Sequence, residues 1–320
     1  MSTLKSSKLV VILGPTSSGK SALAIDAAKQ WNGEVISTDS RQVYRGMDIG
    51  SGKVTKKEQR IVPHHLLDVA DPNDDYNISH FLRDARTAIG DIASRDKLPI
   101  VCGGTGFWIQ ALIENQALPD TPPNSSLRME LSRKTPEELF EILQELDSAR
   151  AETIDRKNPR RLIRAIEIAK DKNQESSIKN QKEDPIPKNA RPFNHKAIQP
   201  YTIALCPPKD ILDARIRARL EARFSQGMIA EVESLHTNGV SWERLDSFGL
   251  EYRWISRFLR GMVDEAGMKE RLFFDSVHYA KRQMTWIRRW KRLGAPLTVV
   301  KTATEAAQKI NTYLEEKRTV

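Results

Sequence analysis

Apolar residues open the chain in short, unbroken runs. Lys8–Leu13 runs into Gly14, then Ala22, Leu23, Ala24, Ala27 and Ala28 recur at helical spacing, and a second run covers Val35–Ser37. Strand, loop, helix and strand in that order predict a parallel βαβ unit. Leu98–Cys102, Thr202–Cys206 and Leu297–Val300 are further short runs without clean alternation. That is the pattern of strands in a parallel sheet covered by helices on both faces.

Between about Asn115 and Pro200 the strand pattern stops. Thr135-Pro136-Glu137-Glu138 is a capping box with proline at the first helical position, and it opens an amphipathic helix. Residues 1–114 and 201–320 are therefore expected to form one α/β core, and residues 115–200 a helical insertion. The polar stretch Asp171–Pro200 holds Pro185, Pro187, Pro192 and Pro200 and reads as a loop or linker closing that insertion.

Composition narrows the class. With 320 residues, 39% of them hydrophobic, the chain can bury one substantial core and carry an additional lobe. The first eight residues are polar, and nothing later approaches the roughly 18 apolar residues of a membrane span, so a cytoplasmic protein with neither leader nor anchor is expected. Cys102 and Cys206 are too few and too far apart for a disulfide framework or a zinc ribbon, and read as buried thiols. A net charge of +9 favours a polyanionic partner without proving one.

The candidate chemistry begins at Gly14-Pro15-Thr16-Ser17-Ser18-Gly19-Lys20-Ser21, a full match to G-x-x-x-x-G-K-[ST] between a strand and a helix. Glycines let backbone N–H groups turn in around an anion, the helix start adds its positive end, Lys20 supplies a charge, and Ser21 can bind Mg²⁺. The expected core is therefore P-loop NTPase-like. No other strand ends in the acidic Mg²⁺ ligand usual in ATPases. Asp39, after Val35–Ser37, is the one strand-end carboxylate, either a general base for an acceptor or a helix N-cap. Gly103-Gly104-Thr105-Gly106 makes a second glycine turn, either a tight turn alone or a place for Thr105 to donate to a phosphate oxygen.

Basic residues cluster in three places. Arg215, Arg219 and Arg223 recur at i, i+4 and i+8 with no acid three or four residues away, which calls for an outside anion or for a distant acid in the fold. Arg217, between Asp213 and Glu221, reads as ordinary surface pairing. Lys281–Arg292 carries six basic residues and no acid, with Trp286 and Trp290 on one helix face as anchors. Arg156, Lys157, Arg160, Arg161 and Arg164 form another cluster inside the insertion. Such clusters around a phosphate cradle suit an extended polyanion.

Taken together, GPTSSGKS, Ile36–Lys53, Pro63–Pro72, CGGTG and Ala280–Arg288 resemble the tRNA dimethylallyltransferase (isopentenyltransferase) family in order and spacing along nearly the whole chain. The resemblance implies a bacterial-type, monomeric enzyme that uses Mg²⁺ and dimethylallyl diphosphate. It would prenylate the adenosine just 3′ of the anticodon in tRNAs reading codons that begin with U. It implies that Gly14–Ser21 hold the diphosphate without hydrolysing ATP, and that Asp39 is the base for the adenine amine. Thr105 would touch both diphosphate and nucleotide, and Arg219 the diphosphate. It assigns to tRNA the segments Asp39-Ser40-Arg41-Gln42, Arg160-Arg161-Leu162-Ile163-Arg164 and Lys281-Arg282-Gln283-Met284-Thr285-Trp286-Ile287-Arg288, together with Arg128.

The chain departs from the family pattern at Gly50-Ser51-Gly52-Lys53-Val54, at Phe248-Gly249-Leu250-Glu251-Tyr252, and at Trp108, where tyrosine is usual and the prenyl tail would be affected. Two other readings share the first forty residues or the chemistry. A small-molecule kinase would use ATP in the same loop but leaves the basic helices without a role. A prenyltransferase for free adenine nucleotides would not need the basic insertion. A pure RNA-binding module has no use for a diphosphate loop.

Overall fold

A computed structural model describes residues 8–116, 119, 121–178 and 200–316, with the backbone alone for 172–178. It divides into two compact units, one formed by residues 1–116 with 192–320 and the other by residues 117–191.

The first unit is built on β1 (Leu9–Leu13), α1 (Lys20–Gln30), β2 (Gly33–Ser37), α2 (Lys56–Ile61), β3 (His64–His65), α3 (Ile78–Ser94), β4 (Leu98–Gly103) and α4 (Gly106–Ile113). The second contains α5 (Ser125–Leu131), α6 (Pro136–Leu146), α7 (Ser148–Thr153) and α8 (Pro159–Ile178). The chain then returns to the first unit with β5 (Pro200–Leu205), α9 (Lys209–Ser225), α10 (Met228–Thr237), α11 (Trp242–Phe248), α12 (Leu250–Leu259), α13 (Glu265–Arg292), β6 (Leu297–Val300) and α14 (Ala303–Glu316).

All six strands are parallel, in the order β3-β2-β4-β1-β5-β6. The α/β architecture expected from the uninterrupted apolar runs is the one formed. Every residue of β1 is buried, and its side chains alternate between two helical layers. Val10 and Ile12 pack with Ile100, Ile203 and Leu205 against Leu23, Ala24, Ala27 and Ala28 of α1 and Ala306, Ile310 and Leu314 of α14. Small residues on α1 allow a close approach: a Cβ on Gly33 would lie 3.3 Å from the Cα of Ala28. β1 is flanked by β4 and β5, so the loop leaving it at Gly14 lies mid-sheet at the carboxyl edge, where parallel sheets bind ligands.

β3, two half-buried histidines paired to Val35 and Ile36, has no apolar run to announce it. The expected linker needs correction as well: α8 continues through Asp171 to Ile178, a stretch that holds the helix formers Lys172, Gln174 and Glu175 and no proline or glycine. Residues 179–199, with Pro185, Pro187 and Pro192, lie outside the described residues. Pro200 opens β5, a strand position where a missing N–H is readily tolerated.

The second unit has its own apolar centre of Leu131, Leu139, Leu143, Ala151, Leu162, Ala165 and Ile166. Thr135 and Glu138 form the predicted capping box on α6. Its one buried carboxylate among the described residues, Glu167, accepts from Asn124 N at 2.9 Å, from Arg128 at 2.7 and 2.8 Å, and from Arg164 at 3.1 Å.

Candidate active site

The Gly14–Ser21 loop turns sharply between β1 and α1. Ser17 and Gly19 take positive φ values of 59° and 94°, and α1 starts directly after them. A Cβ on Gly14 would sit 2.5 Å from Leu205 O, so only glycine lets β1 turn there beside β5. The Ser18 hydroxyl is buried inside the loop without a hydrogen-bond partner among the described residues. Lys20 Nζ donates to Pro15 O at 3.2 Å. Loss of hydration lowers the pKa of this ammonium, and nearby Arg219 pushes the same way, against Cys102 and Asp39. A phosphate oxygen would restore to it what water has lost.

The second glycine turn is joined to the first. Gln283, on α13, donates from Nε2 to Gly104 O at 2.9 Å and accepts from Thr16 N through Oε1 at 2.8 Å. A Cβ on Gly103 would strike Thr38, and one on Gly104 would strike the Gln283 amide. Thr105 stands at the N-terminus of α4, and its hydroxyl accepts from Ser40 N at 3.3 Å. Trp286 packs on Gly106 and lies 5.0 Å from Trp290, which is buried and donates to Glu114. The tryptophans do anchor α13, as their spacing predicts.

Asp39 caps no helix. Its Oδ1 accepts from Arg41 N at 2.8 Å and Gln42 N at 3.4 Å in a turn after β2, and among the described residues Oδ2 accepts nothing. It lines a cavity of about 420 Å³ with Thr16, Lys20, Ser21, Arg219 and Gln283. A second cavity, about 540 Å³, opens beside Ser17, Lys53 and Arg215. Lys20, Ser21, Arg219 and Arg223 form part of the lining of both.

The four arginines of α9 have different surroundings. Arg215 donates to Ser18 O at 3.2 Å and Arg219 to Thr16 Oγ1 at 3.2 Å; neither has an ion pair among the described residues. Burial and then the neighbouring Arg223 charge bring the Arg219 pKa down to about 10. Arg223 has the distant acid that helix spacing could not show, Glu251 at 2.8 Å. Arg217 lies over the Phe273 ring at 4.0 Å, and Asp213 pairs with Lys209, so the pairing expected of Arg217 is replaced by a cation–π contact. Both cysteines are buried as expected, and burial pushes each thiol up to about 11.

Several residues in the segments assigned to tRNA point elsewhere, since a helical segment cannot turn every side chain outward. Leu162 is fully buried in the second unit, with Ile163 packed against that core. Ile287 is buried, and Gln283 is spent on the two glycine turns. Gln42 turns inward to Ser37 and to the Ser51 and Gly52 carbonyls. Arg128 and Arg164 hold Glu167. Arg160, Arg161, Lys281, Arg282, Thr285 and Arg288 are exposed, and Ser40, Arg41, Met284 and Trp286 are half-exposed. Trp108 is buried and stacked on Phe81 with centroids 4.6 Å apart, away from the residues lining the Asp39 cavity, so it does not shape that cavity.

The IPP transferase family model matches residues 42–290, and an isopentenyl transferase model matches residues 7–68. This chain belongs to the IPP transferase family. Within the family it is 40% identical over 294 residues to tRNA dimethylallyltransferase 2 of Shewanella sediminis, covering 92% of this chain and 93% of the relative. It is 41% identical over 290 residues to tRNA dimethylallyltransferase 1 of Syntrophus aciditrophicus, covering 89% and 91%. Among solved structures it is similar to the full-length tRNA isopentenylpyrophosphate transferase of Bacillus halodurans, with 33% identity, a TM-score of 0.68 and 98% coverage of both chains. It is also similar to a eukaryotic dimethylallyltransferase acting on tRNA, with 26% identity and a TM-score of 0.74, covering 94% of this chain and 75% of the other.

Motif spacing alone passes over several residues of the cavity that contains Asp39. Ser276 and Tyr279 precede Gln283 by seven and four positions on α13 and share its face, and Phe248, Glu251 and Tyr252 come from α11 and α12. Counting back from Gln283 at helical intervals would have found the first two.

Proposed function

We propose that this protein transfers the dimethylallyl group from dimethylallyl diphosphate to N6 of the adenosine 3′-adjacent to the anticodon, position 37, in tRNAs reading codons that begin with U. The observation that carries this reading is the meeting of Asp39 with Lys20 and Arg219 in one cavity. A proton acceptor and a diphosphate cradle face the same space, as alkylation of a weakly nucleophilic amine requires. Family membership and the names of the relatives support the substrate pair.

Adenine N6 has its lone pair delocalised into the ring, so attack on the allylic carbon is helped by a carboxylate hydrogen-bonded to the amine. Asp39 Oδ1 is held by Arg41 N and Gln42 N, which aims the other oxygen. As the N6–C1 bond forms, the C1–O bond breaks, its electron pair leaves with diphosphate, and the N6 proton passes to Asp39. The growing negative charge on the leaving group is met by Lys20, Arg219, Thr105 and the loop N–H groups. Because the target base already lies in a loop of the tRNA, extracting it costs less than from a duplex.

Ser21 is exposed at the first turn of α1 and lines both cavities. No group of three or more His, Cys, Asp or Glu residues able to hold a metal lies among the described residues. The Ser21 hydroxyl is an oxygen ligand of the hard kind Mg²⁺ takes, alongside substrate phosphates and water. When bound, the ion would neutralise diphosphate charge, with Ser21 as its protein ligand. Exposed Arg160, Arg161, Lys281, Arg282 and Arg288 supply phosphate contacts to tRNA in this reading. No helix among the described residues is long and apolar enough to cross a membrane, and we place the protein in the cytoplasm, as a monomer.

The test is incubation of purified protein with Mg²⁺, dimethylallyl diphosphate and unmodified tRNA, then nucleoside mass spectrometry, with ATP and free AMP in parallel. Prenylated adenosine in tRNA alone is expected. ATP turnover, or prenylated AMP without modified tRNA, would replace the reading by a kinase or a free-nucleotide transferase.

A further inference from the structure

Glu231, on α10, spends its carboxylate outside its own helix. Oε2 accepts from Asp48 N at 2.9 Å and Ile49 N at 2.5 Å, and Oε1 from Gly50 N at 2.9 Å and the Tyr252 hydroxyl at 3.0 Å. Three successive backbone N–H groups converge on one anion, a nest filled by a side chain. A carboxylate can accept all four bonds at once, whereas an amide oxygen cannot.

The segment fixed in this way is the one that receives the arginines of α9. Gly50 O accepts from Arg223 at 3.1 Å, and Gly52 O from Arg219 at 3.5 Å. Gly52 has φ +62°, and a Cβ on it would collide with both guanidinium groups. The two cations stand one helical turn apart and repel each other, so carbonyls at fixed places are needed to hold both toward the cavities. Lys53 closes the same loop from the other end, buried against Asp48, Asp68 and Tyr44 O.

We propose that Glu231 is a positioning residue for the diphosphate site, acting through residues 48–52 on Arg219 and Arg223. It touches no substrate. Its carboxylate shapes a loop whose carbonyls set the direction of two guanidinium groups, and of these Arg219 meets the leaving diphosphate. This rests on the diphosphate assignment made above, and it predicts that a side chain distant from the reacting atoms governs donor affinity in particular.

The experiment is E231Q, read by calorimetric binding of inorganic diphosphate and by steady-state kinetics with both substrates. The expected result is a roughly 10- to 100-fold weaker diphosphate Kd with a parallel rise in KM for the prenyl donor, and a KM for tRNA changed by no more than about twofold. In an R219A background, E231Q should cost clearly less than it does in the wild type, since one of the two residues it acts through is already gone. Unchanged diphosphate affinity in E231Q, an equal rise in both KM values, or full additivity with R219A overturns the proposal. Should E231Q not fold, E231D draws the carboxylate back from the 48–50 N–H groups, and normal diphosphate affinity in that variant overturns it equally. Failure of the wild-type protein to bind diphosphate at all would instead remove the diphosphate assignment itself.

Discussion

Gln283 and Thr16 are 267 positions apart in the chain and joined by one 2.8 Å hydrogen bond, from the Thr16 N–H to the Gln283 side-chain oxygen. The other end of the same amide holds Gly104 O. One buried side chain therefore sets the spacing between the phosphate loop and the turn that carries Thr105. Q283L should leave a half-buried N–H and a half-buried carbonyl without their partner, costing less for each than the roughly 1–3 kcal/mol of a fully buried group. Chemical denaturation should show that destabilisation together with a fall in kcat, and a variant as stable and active as wild type would mean that other contacts align the two turns.

Asp39 is expected to matter for rate and little for tRNA affinity. D39A should lower kcat by roughly two orders of magnitude or more, as for loss of a general base, with tRNA binding nearly unchanged. Single-turnover kinetics with filter binding separates the two quantities. Near-normal turnover would take Asp39 out of the proton transfer.

The basic residues of the second unit divide into two kinds, and the division can be measured. Arg160 and Arg161 are exposed, whereas Arg164 and Arg128 are tied to buried Glu167. R160A/R161A should weaken tRNA binding and flatten its salt dependence by a slope of roughly 2, one for each phosphate that the two arginines neutralise. R164A should mainly destabilise the unit, since it strips a cation from a buried carboxylate. An unchanged slope in the double variant would place tRNA elsewhere.

Acid should loosen the sheet edge in a predictable window. Glu34, buried at β2, is hydrogen-bonded by Arg95 and by Lys97 and His65, both at 2.7 Å. The Arg95 contact is foremost in holding its carboxyl far below the usual value of 4.5, against the effect of burial. A depressed carboxylate stabilises the fold at pH values above its ordinary range. That contribution is complete near neutrality and is lost as pH falls below about 4.5. E34Q should therefore be less stable than wild type at pH 7, and the gap should narrow steadily through the acid range in thermal melts.

The parts of the fold legible in the sequence are those made by local pattern. β1, β2, β4, β5 and β6 follow from short apolar runs, and α6 from its capping box, because these signals lie within a few adjacent residues. β3 escaped because two histidines carry no run, and the end of α8 because polar residues make good helices as readily as loops. In the site, Lys20 and Asp39 were legible from the loop motif and the strand end. The Arg223–Glu251 pair was not, since its partners are 28 positions apart on different helices. Nor was the burial of Leu162, Gln283 and Ile287, which depends on the face each helix turns to its neighbours. A contiguous motif fixes which residues are near one another along the chain, and the fold then decides which of them look outward.

The place of β1 between β4 and β5 bears on how the protein is made. At a synthesis rate of roughly 5–20 residues per second, β5 leaves the ribosome roughly 10 to 40 s after β1. In that interval β1 can pair with β4 but presents its other edge, apolar on both faces, to whatever is nearby. Gln283, which locks the loop leaving β1, arrives later still. The whole second unit is synthesised while the central sheet waits for its fifth strand, so the edge of β1 stays open throughout that interval.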